Sequence, residues 1–250
     1  MNKKLIKIEK KWFEQWFDSP YYHLLYKNRD EVEAEKFIKN LIAFLQPPSG
    51  SIMLDVACGK GRHSIYLNKL GYNVDGFDLA ENSIIVAKKQ EAKNLKFYVN
   101  DIRKPLKINH YNYAFNLFTS FGYFEDETDN LLAIYAISES LKTDGILVLD
   151  FMNVTKVVNN LQEKETKIIN DNTFLIKRSF FNNFIIKDIV INDKGITHHF
   201  QEKVKAITLA DFRTYFNAAN LKIEAIFGNY NLTSFDEKIS DRLIVIAKKQ

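Results

Sequence analysis

The chain has 250 residues, of which 46% are hydrophobic and 26% charged, with a formal net charge of +4 and a single cysteine. That length accommodates one large α/β domain with a small appendage. The composition excludes a disordered or collagen-like chain, and no apolar run approaches the ~18 residues of a membrane-spanning helix.

Cys58 stands alone, so it forms no internal disulfide and no cysteine zinc site, which fits a cytoplasmic setting. Lys3 and Lys4 precede no continuous apolar core, so no secretory signal is expected. Lysines are scattered among acids except for Lys3, Lys4, Lys7, Lys10 and Lys11, a cluster read as a solvated helix face ahead of RNA or membrane contact. Within 4–17, Leu5, Ile8, Trp12 and Trp16 fall at helical spacing, a stripe suited to docking on a core. Glu9, Glu14 and Asp18 disfavour laying it on a membrane. Tyr22, His23 and Tyr26 follow Ser19-Pro20, and a second helix is predicted over 30–46 before Pro47-Pro48-Ser49-Gly50 breaks the chain.

Residues 51–150 alternate. Strands are predicted at 52–56, 73–77, 95–99, 113–118 and 145–151, with helices at 62–70, 81–92 and 130–141. Such alternation specifies a parallel sheet with helices on both faces, doubly wound through right-handed crossovers. Beyond 151 the texture changes to three alternating segments, 173–181, 183–191 and 196–207. Asn182-Asn183 and Asn192-Asp193-Lys194-Gly195 join them, which is hairpin chemistry. A helix at 210–219 and strands at 221–227 and 242–248 complete the chain. The expected organisation is an N-terminal helical lid over 1–50, a core over 51–153 and 206–250, and an antiparallel β insert over 154–205.

The most informative stretch is Asp55-Val56-Ala57-Cys58-Gly59-Lys60-Gly61, where an apolar strand ends in an acid and a Gly-x-Gly turn opens a helix. Glycine lets backbone approach a ligand closely, and a helix start presents free N–H groups. Two glycines alone are weak, but Asp78, at the end of the next strand, stands where a carboxylate can accept from both hydroxyls of a ribose. Asp75, read as lying on the same strand face but farther from its end, is the rival. Asp101 follows the third strand and can accept from an exocyclic adenine amine, with Leu79 and Ile102 on either side of the ring. Three acids at three successive carboxyl ends support one another, because ligands of such sheets bind at that edge.

Together with Asn116-Leu117-Phe118-Thr119-Ser120-Phe121-Gly122-Tyr123, these residues resemble the class I S-adenosylmethionine-dependent methyltransferases, nearest to the sugar-amine and glycine N-methyltransferase branch. The resemblance implies a Rossmann-like fold with a seven-stranded, mostly parallel sheet and an antiparallel β insert after the fifth strand. The last strand is then antiparallel beside the sixth. S-adenosylmethionine is the implied cofactor. Asp55, Ala57, Cys58, Gly59 and Gly61 would line its methionine portion, Asp78 the ribose, and Leu79, Asp101 and Ile102 the adenine. Asn116, Leu117 and Phe118 would pass beside the methyl group. From the lid, Tyr22 would bring a hydroxyl near that methyl, Tyr26 would reach over the cofactor, and Arg29 is the candidate for its carboxylate. Tyr123 would offer a second hydroxyl, while Phe121 and Phe124 exclude water. Asp150 and Asn153 would sit beside the chamber, and Asp241-Arg242 reads as a surface salt bridge.

On the third insert segment His198 and Glu202 share a face and His199 takes the other. Adjacent histidines on a regular strand cannot share one ion, and no metal is expected. The expected activity is methyl transfer to a small molecule, nitrogen ahead of oxygen, by a monomer or homodimer without membrane partners. RNA methylation and a non-catalytic nucleoside-binding regulator are the alternatives, with nucleic acid disfavoured. A nicotinamide dehydrogenase is a third, weakened by Ser64 where its fingerprint needs a third glycine.

Overall fold

The computed structural model describes residues 12–27 and 31–250. In chain order it has α1 (Trp12–Phe17), α2 (Pro20–Leu25), α3 (Glu31–Leu45), β1 (Ile52–Val56), α4 (Arg62–Lys69), β2 (Asn73–Asp78), α5 (Glu81–Lys88), β3 (Leu95–Val99), β4 (Tyr111–Asn116), α6 (Glu127–Ser140) and β5 (Leu141–Met152). There follow α7 (Val154–Asn159), β6 (Lys164–Ile169), β7 (Asn172–Phe181), β8 (Phe184–Asp193), β9 (Ile196–Lys205), α8 (Leu209–Ala218), β10 (Leu221–Phe227) and β11 (Arg242–Lys249).

Seven strands form the main sheet in the order β10-β11-β5-β4-β1-β2-β3. The pairs β2–β3, β1–β2, β1–β4 and β4–β5 are parallel, whereas β11 runs antiparallel to both β5 and β10. Successive side chains of a strand point to opposite faces, and both faces here are apolar because helices cover both. Leu54, Leu147, Leu149 and Val245 pack with Ile134 and Ile137 of α6 and Phe212 and Phe216 of α8. Met53, Phe115, Val148 and Ile244 pack with Phe37 and Leu41 of α3, Leu67 of α4 and Ile84 of α5.

The smaller sheet runs β6-β7-β8-β9, antiparallel throughout. It has four strands where the sequence pattern indicated three. The added strand β6 joins β7 through Asn170-Asp171, both at positive φ (47° and 63°), as are Asn182 and Asn183 at the next turn. Asparagine and aspartate tolerate that left-handed geometry, and paired residues there match the twist of a hairpin.

The N-terminal aromatic stripe docks on this smaller sheet. Trp16 is fully buried against Phe174, Ile176, Ile189 and Ile191, with Leu25 of α2 beside it. Leu5, Ile8 and the lysine cluster lie outside the described residues. No helix among the described residues is long and apolar enough to cross a membrane.

Candidate functional site

The carboxyl ends of β1 to β4 open into a cavity of about 670 Å³, roofed by α1, α2 and the smaller sheet. Its floor is the glycine turn. Ala57, Gly59 and Gly61 all take left-handed backbone (φ 57°, 56° and 83°), which turns the chain sharply from β1 into α4. The two glycines do different jobs. A Cβ on Gly61 would stand 2.6 Å from the Phe97 ring, so Gly61 permits helix and strand to pack. Gly59 has nothing within 4 Å of its missing Cβ among the described residues, and it faces the cavity. Gly61, expected beside the methionine portion, is absent from the described lining.

Asp78 ties the turn to β2. Its Oδ2 accepts from the Gly59 N–H at 2.8 Å and its Oδ1 from the Ala80 N–H at 2.9 Å. Each carboxylate oxygen has a second lone pair, so capacity for a diol remains. Burial raises the Asp78 carboxyl above its ordinary range, against those backbone bonds. Asp75 is no rival: three residues away, it points to the opposite face, where it accepts from Lys107 Nζ at 2.6 Å and Tyr111 Oη at 2.8 Å.

Asp55 is fully buried at the end of β1 and lines the cavity. Its Oδ2 accepts from the Ser64 hydroxyl at 2.5 Å and the Ser64 N–H at 3.1 Å. Burial nevertheless pushes its carboxyl up to about 7, with the nearby Asp78 adding to the rise. Burial likewise pushes the Cys58 thiol well up, and Cys58 packs into the core beneath the turn while also lining the cavity.

Asp101, Ile102 and Leu79 all line the same cavity. Burial acts to raise Asp101, but Arg103 overrides it through Nε–Oδ1 at 3.0 Å and Nη2–Oδ2 at 2.6 Å, and holds the carboxyl below its usual range. Arg103 also bonds Asp129 Oδ1 at 2.9 Å, which fixes the whole turn.

Leu117 and Phe118 line the cavity beyond β4, Phe118 at positive φ (59°). Asn116 lies behind the described lining: its Nδ2 donates to the Val56 and Ser120 carbonyls at 3.2 Å each, so it braces the loop. Asp150, expected beside the chamber, is buried beneath it and accepts from the Phe118 N–H at 2.7 Å. Arg242 is no surface residue. Its Nε meets Asp150 Oδ1 at 2.7 Å and its Nη2 donates to Thr119 Oγ1 at 2.9 Å, which holds the strained loop in place. Only the neighbouring Asp241 forms an exposed pair, with Lys156. Asn153 is also buried and donates to the Glu237 and Ser240 carbonyls.

The turn and these three strand-end acids all lie within residues 48–219. Residues 48–219 match the family described as the methyltransferase domain. The chain belongs to that methyltransferase family. It is 25% identical over 131 residues to the dTDP-3-amino-3,4,6-trideoxy-alpha-D-glucopyranose N,N-dimethyltransferase of Streptomyces venezuelae, covering 52% of this chain and 54% of that one. The chain spans about half the length of the curated relatives it matches. Among solved structures it is similar to an S-adenosylmethionine-dependent methyltransferase of Clostridium acetobutylicum (TM-score 0.77, 18% identity, 92% of this chain and 96% of that). It is also similar to CalS10, an amino pentose methyltransferase of Micromonospora echinaspora (TM-score 0.69, 17% identity, 93% and 98%). At such identities the structural likeness establishes the fold: a doubly wound methyltransferase sheet carrying an antiparallel insert.

The cavity suits an adenosyl sulfonium on its own chemistry. Carboxylates stand at three strand ends, a glycine opens the floor, and the buried His63 Nε2 has no partner among the described residues. Burial, aided by Arg62, keeps that imidazole well below its ordinary range and therefore neutral. His63 stacks on Phe118, ring centroids 5.1 Å apart.

Tyr22, Tyr26 and Tyr123 all line the cavity roof. Tyr22 packs edge-on against Trp16 (5.7 Å) and Phe17 (5.0 Å), so it has a packing role as well. The Tyr123 hydroxyl donates to the Thr119 carbonyl. That bond turns an expected chamber hydroxyl towards the loop. Arg29 lies outside the described residues.

Part of this roof carries no signal in the sequence, since Glu202 gains its role only through partners distant in the chain. Glu202 of β9 accepts from Trp16 Nε1 and Tyr26 Oη, both at 2.7 Å, and pairs with Lys187 of β8 at 3.4 Å. His198 instead meets Tyr21 Oη at 3.0 Å. Arg178, Lys187 and His23 also reach the cavity. Burial brings His23 down to about 4, with Lys60 adding and Asp18 opposing, so its imidazole is neutral at pH 7.

Proposed function

We propose that this chain transfers a methyl group from S-adenosylmethionine to a nitrogen of a small-molecule acceptor. The observation that carries the reading is the row of Asp55, Asp78 and Asp101 around an open glycine floor, inside a cavity that continues beneath a separate aromatic roof. Bound S-adenosylmethionine supplies a methyl carbon already activated by positively charged sulfur. Asp78 would accept from the ribose hydroxyls and Asp101 from the adenine amine, while Asp55 and the Ala57–Gly59 backbone would hold the methionine end.

What remains for the protein is alignment and dryness. Helices α1 and α2 act as a lid over the cofactor, and Phe121 and Phe124 keep water from the reacting atoms. Once bound, S-adenosylmethionine would offer a methyl carbon open to in-line displacement by the acceptor nitrogen with sulfur as leaving group, and the lid and turn residues would hold the two in line. A base is needed only where the acceptor arrives protonated. The similar Streptomyces and Micromonospora proteins, named for an amino-sugar N,N-dimethyltransfer and an amino pentose, support nitrogen and a small acceptor. Enclosure by the roof supports the same choice over a polynucleotide.

Incubation with methyl-labelled S-adenosylmethionine and either a panel of amino sugars and small amines or total RNA tests this. Label is expected in the small-molecule fraction, and Tyr22→Phe is expected to lower kcat by about tenfold while cofactor affinity stays within about twofold. Label entering RNA instead would overturn the acceptor class.

A further inference from the structure

The cavity has a second end, away from the acids. Sheet order puts β5 two strands beyond β1, on the side opposite β2 and β3, so the end of β5 lies across the cavity from Asp78 and Asp101. Six apolar side chains line it from segments far apart in the chain: Phe121 after β4, Met152 at the end of β5, Val157 of α7, Leu161 just beyond it, Ile185 of β8 and Val204 of β9. All six belong to one apolar cluster, and Ile185 and Val204 are direct partners in the β8–β9 register. Helix α7 is anchored through other residues. Thr155 Oγ1 meets Glu237 Oε1 at 3.0 Å, and Lys156 Nζ donates to the Ile239 carbonyl at 2.8 Å and to Asp241 Oδ1 at 2.6 Å. Val157 and Leu161, four residues apart, are left to the cavity.

The cations that reach the cavity near this end are already engaged by the protein. Arg178 is held by Glu165 at 2.5 Å and the Gln162 carbonyl at 3.2 Å, Lys187 by Glu202 at 3.4 Å and by Tyr26, and Arg242 by Asp150 at 2.7 Å and Thr119 at 2.9 Å. An acceptor rich in hydroxyls would exchange water for a wall of methyl, methylene and ring carbon, and each hydrogen bond left unmade costs free energy. An apolar group gains from the same wall in proportion to the area it buries.

We propose that this end of the cavity is an apolar acceptor pocket, so that the methylated amine carries an apolar group rather than a polyhydroxylated ring, with Val157 and Leu161 setting the length it accepts. The inference rests on the methyl-transfer reading for its biological meaning, but the pocket itself is tested without turnover. Titration calorimetry of n-propylamine, n-butylamine, n-hexylamine and glucosamine is run on the protein alone and on the protein saturated with S-adenosylhomocysteine. Affinity is expected to rise about threefold to fourfold for each added methylene, with hexylamine at least about tenfold tighter than glucosamine. Leu161→Asn and the nearly isosteric Val157→Thr should each flatten that rise, weakening hexylamine about fivefold to tenfold and propylamine by no more than about twofold. Ile239→Asn, at a 70% exposed residue beside α7, should leave the rise intact. Side chains that served packing alone would lower Tm when replaced and keep the dependence on chain length seen in wild type. That outcome, no rise with chain length in wild type, no saturable binding of hexylamine, or glucosamine binding tighter than hexylamine would each overturn the pocket. Failure of S-adenosylhomocysteine to bind would instead strike the cofactor assignment, and the amine series on the protein alone would still report the pocket.

Discussion

Asp55 shows how a single buried side chain makes the site titratable. Its folded-state carboxyl stands near 7, raised first by burial, against an ordinary value of 3.8. In the unfolded chain the group ionises at the lower pH, so the unfolded state binds fewer protons throughout the interval between the two. Stability contributed by the protonated form is present at the acid end and lost as pH rises from about 4 to about 7. That displacement corresponds to about 4 kcal/mol at most. Asp55→Asn removes the dependence, so the difference in Tm between wild type and variant, without cofactor, should move in favour of wild type as pH falls through this window. A difference that stays flat with pH would contradict the assignment. Asp55 and Asp78 were legible in the sequence because each ends a predicted strand beside the glycine turn. Asp101 was legible by position only; its clamp by Arg103 is not, since the geometry of a turn fixes which side chain reaches the carboxylate.

The strand–turn–helix unit explains why two glycines of one motif respond differently to substitution. Gly61→Ala adds a Cβ that meets Phe97 at 2.6 Å and also burdens a left-handed backbone, so its expected loss is stability, about 2–3 kcal/mol. Gly59→Ala meets open space and costs only the backbone term, about 1–2 kcal/mol, yet its methyl projects where the cofactor would lie. Denaturant unfolding and S-adenosylhomocysteine titration of both variants should show Gly61→Ala failing first in folding and Gly59→Ala failing first in binding. The opposite ranking would overturn this division of labour. The motif itself could be read from spacing, but the division depends on Phe97, which a distant strand supplies. Element bounds follow the same logic. β1, β3 and β10 stand where apolar patterning put them. β6 escaped notice because an edge strand rich in Lys and Glu carries little apolar period, and α7 because six residues give too short a pattern.

On the scale of the whole molecule, the parallel sheet was readable because each βα unit is local in sequence, whereas the roof is assembled from segments far apart. Trp16 and Tyr26 reach Glu202 across 186 and 176 residues. No periodicity announces such a contact, so Glu202, Lys187 and Arg178 come to the cavity wall only in three dimensions. The same assembly gives the cavity its two halves: strand-end acids below, and aromatic and charged side chains above. Calorimetric titration of S-adenosylhomocysteine into wild type and Asp78→Ala, with NAD as the competing nucleotide, addresses the lower half directly. The account predicts one saturable site in wild type, preference over NAD, and binding weakened by about tenfold to a hundredfold in the variant, the cost of losing a charged hydrogen-bonding group. Equal affinity of wild type and variant, or tighter binding of NAD, would contradict it.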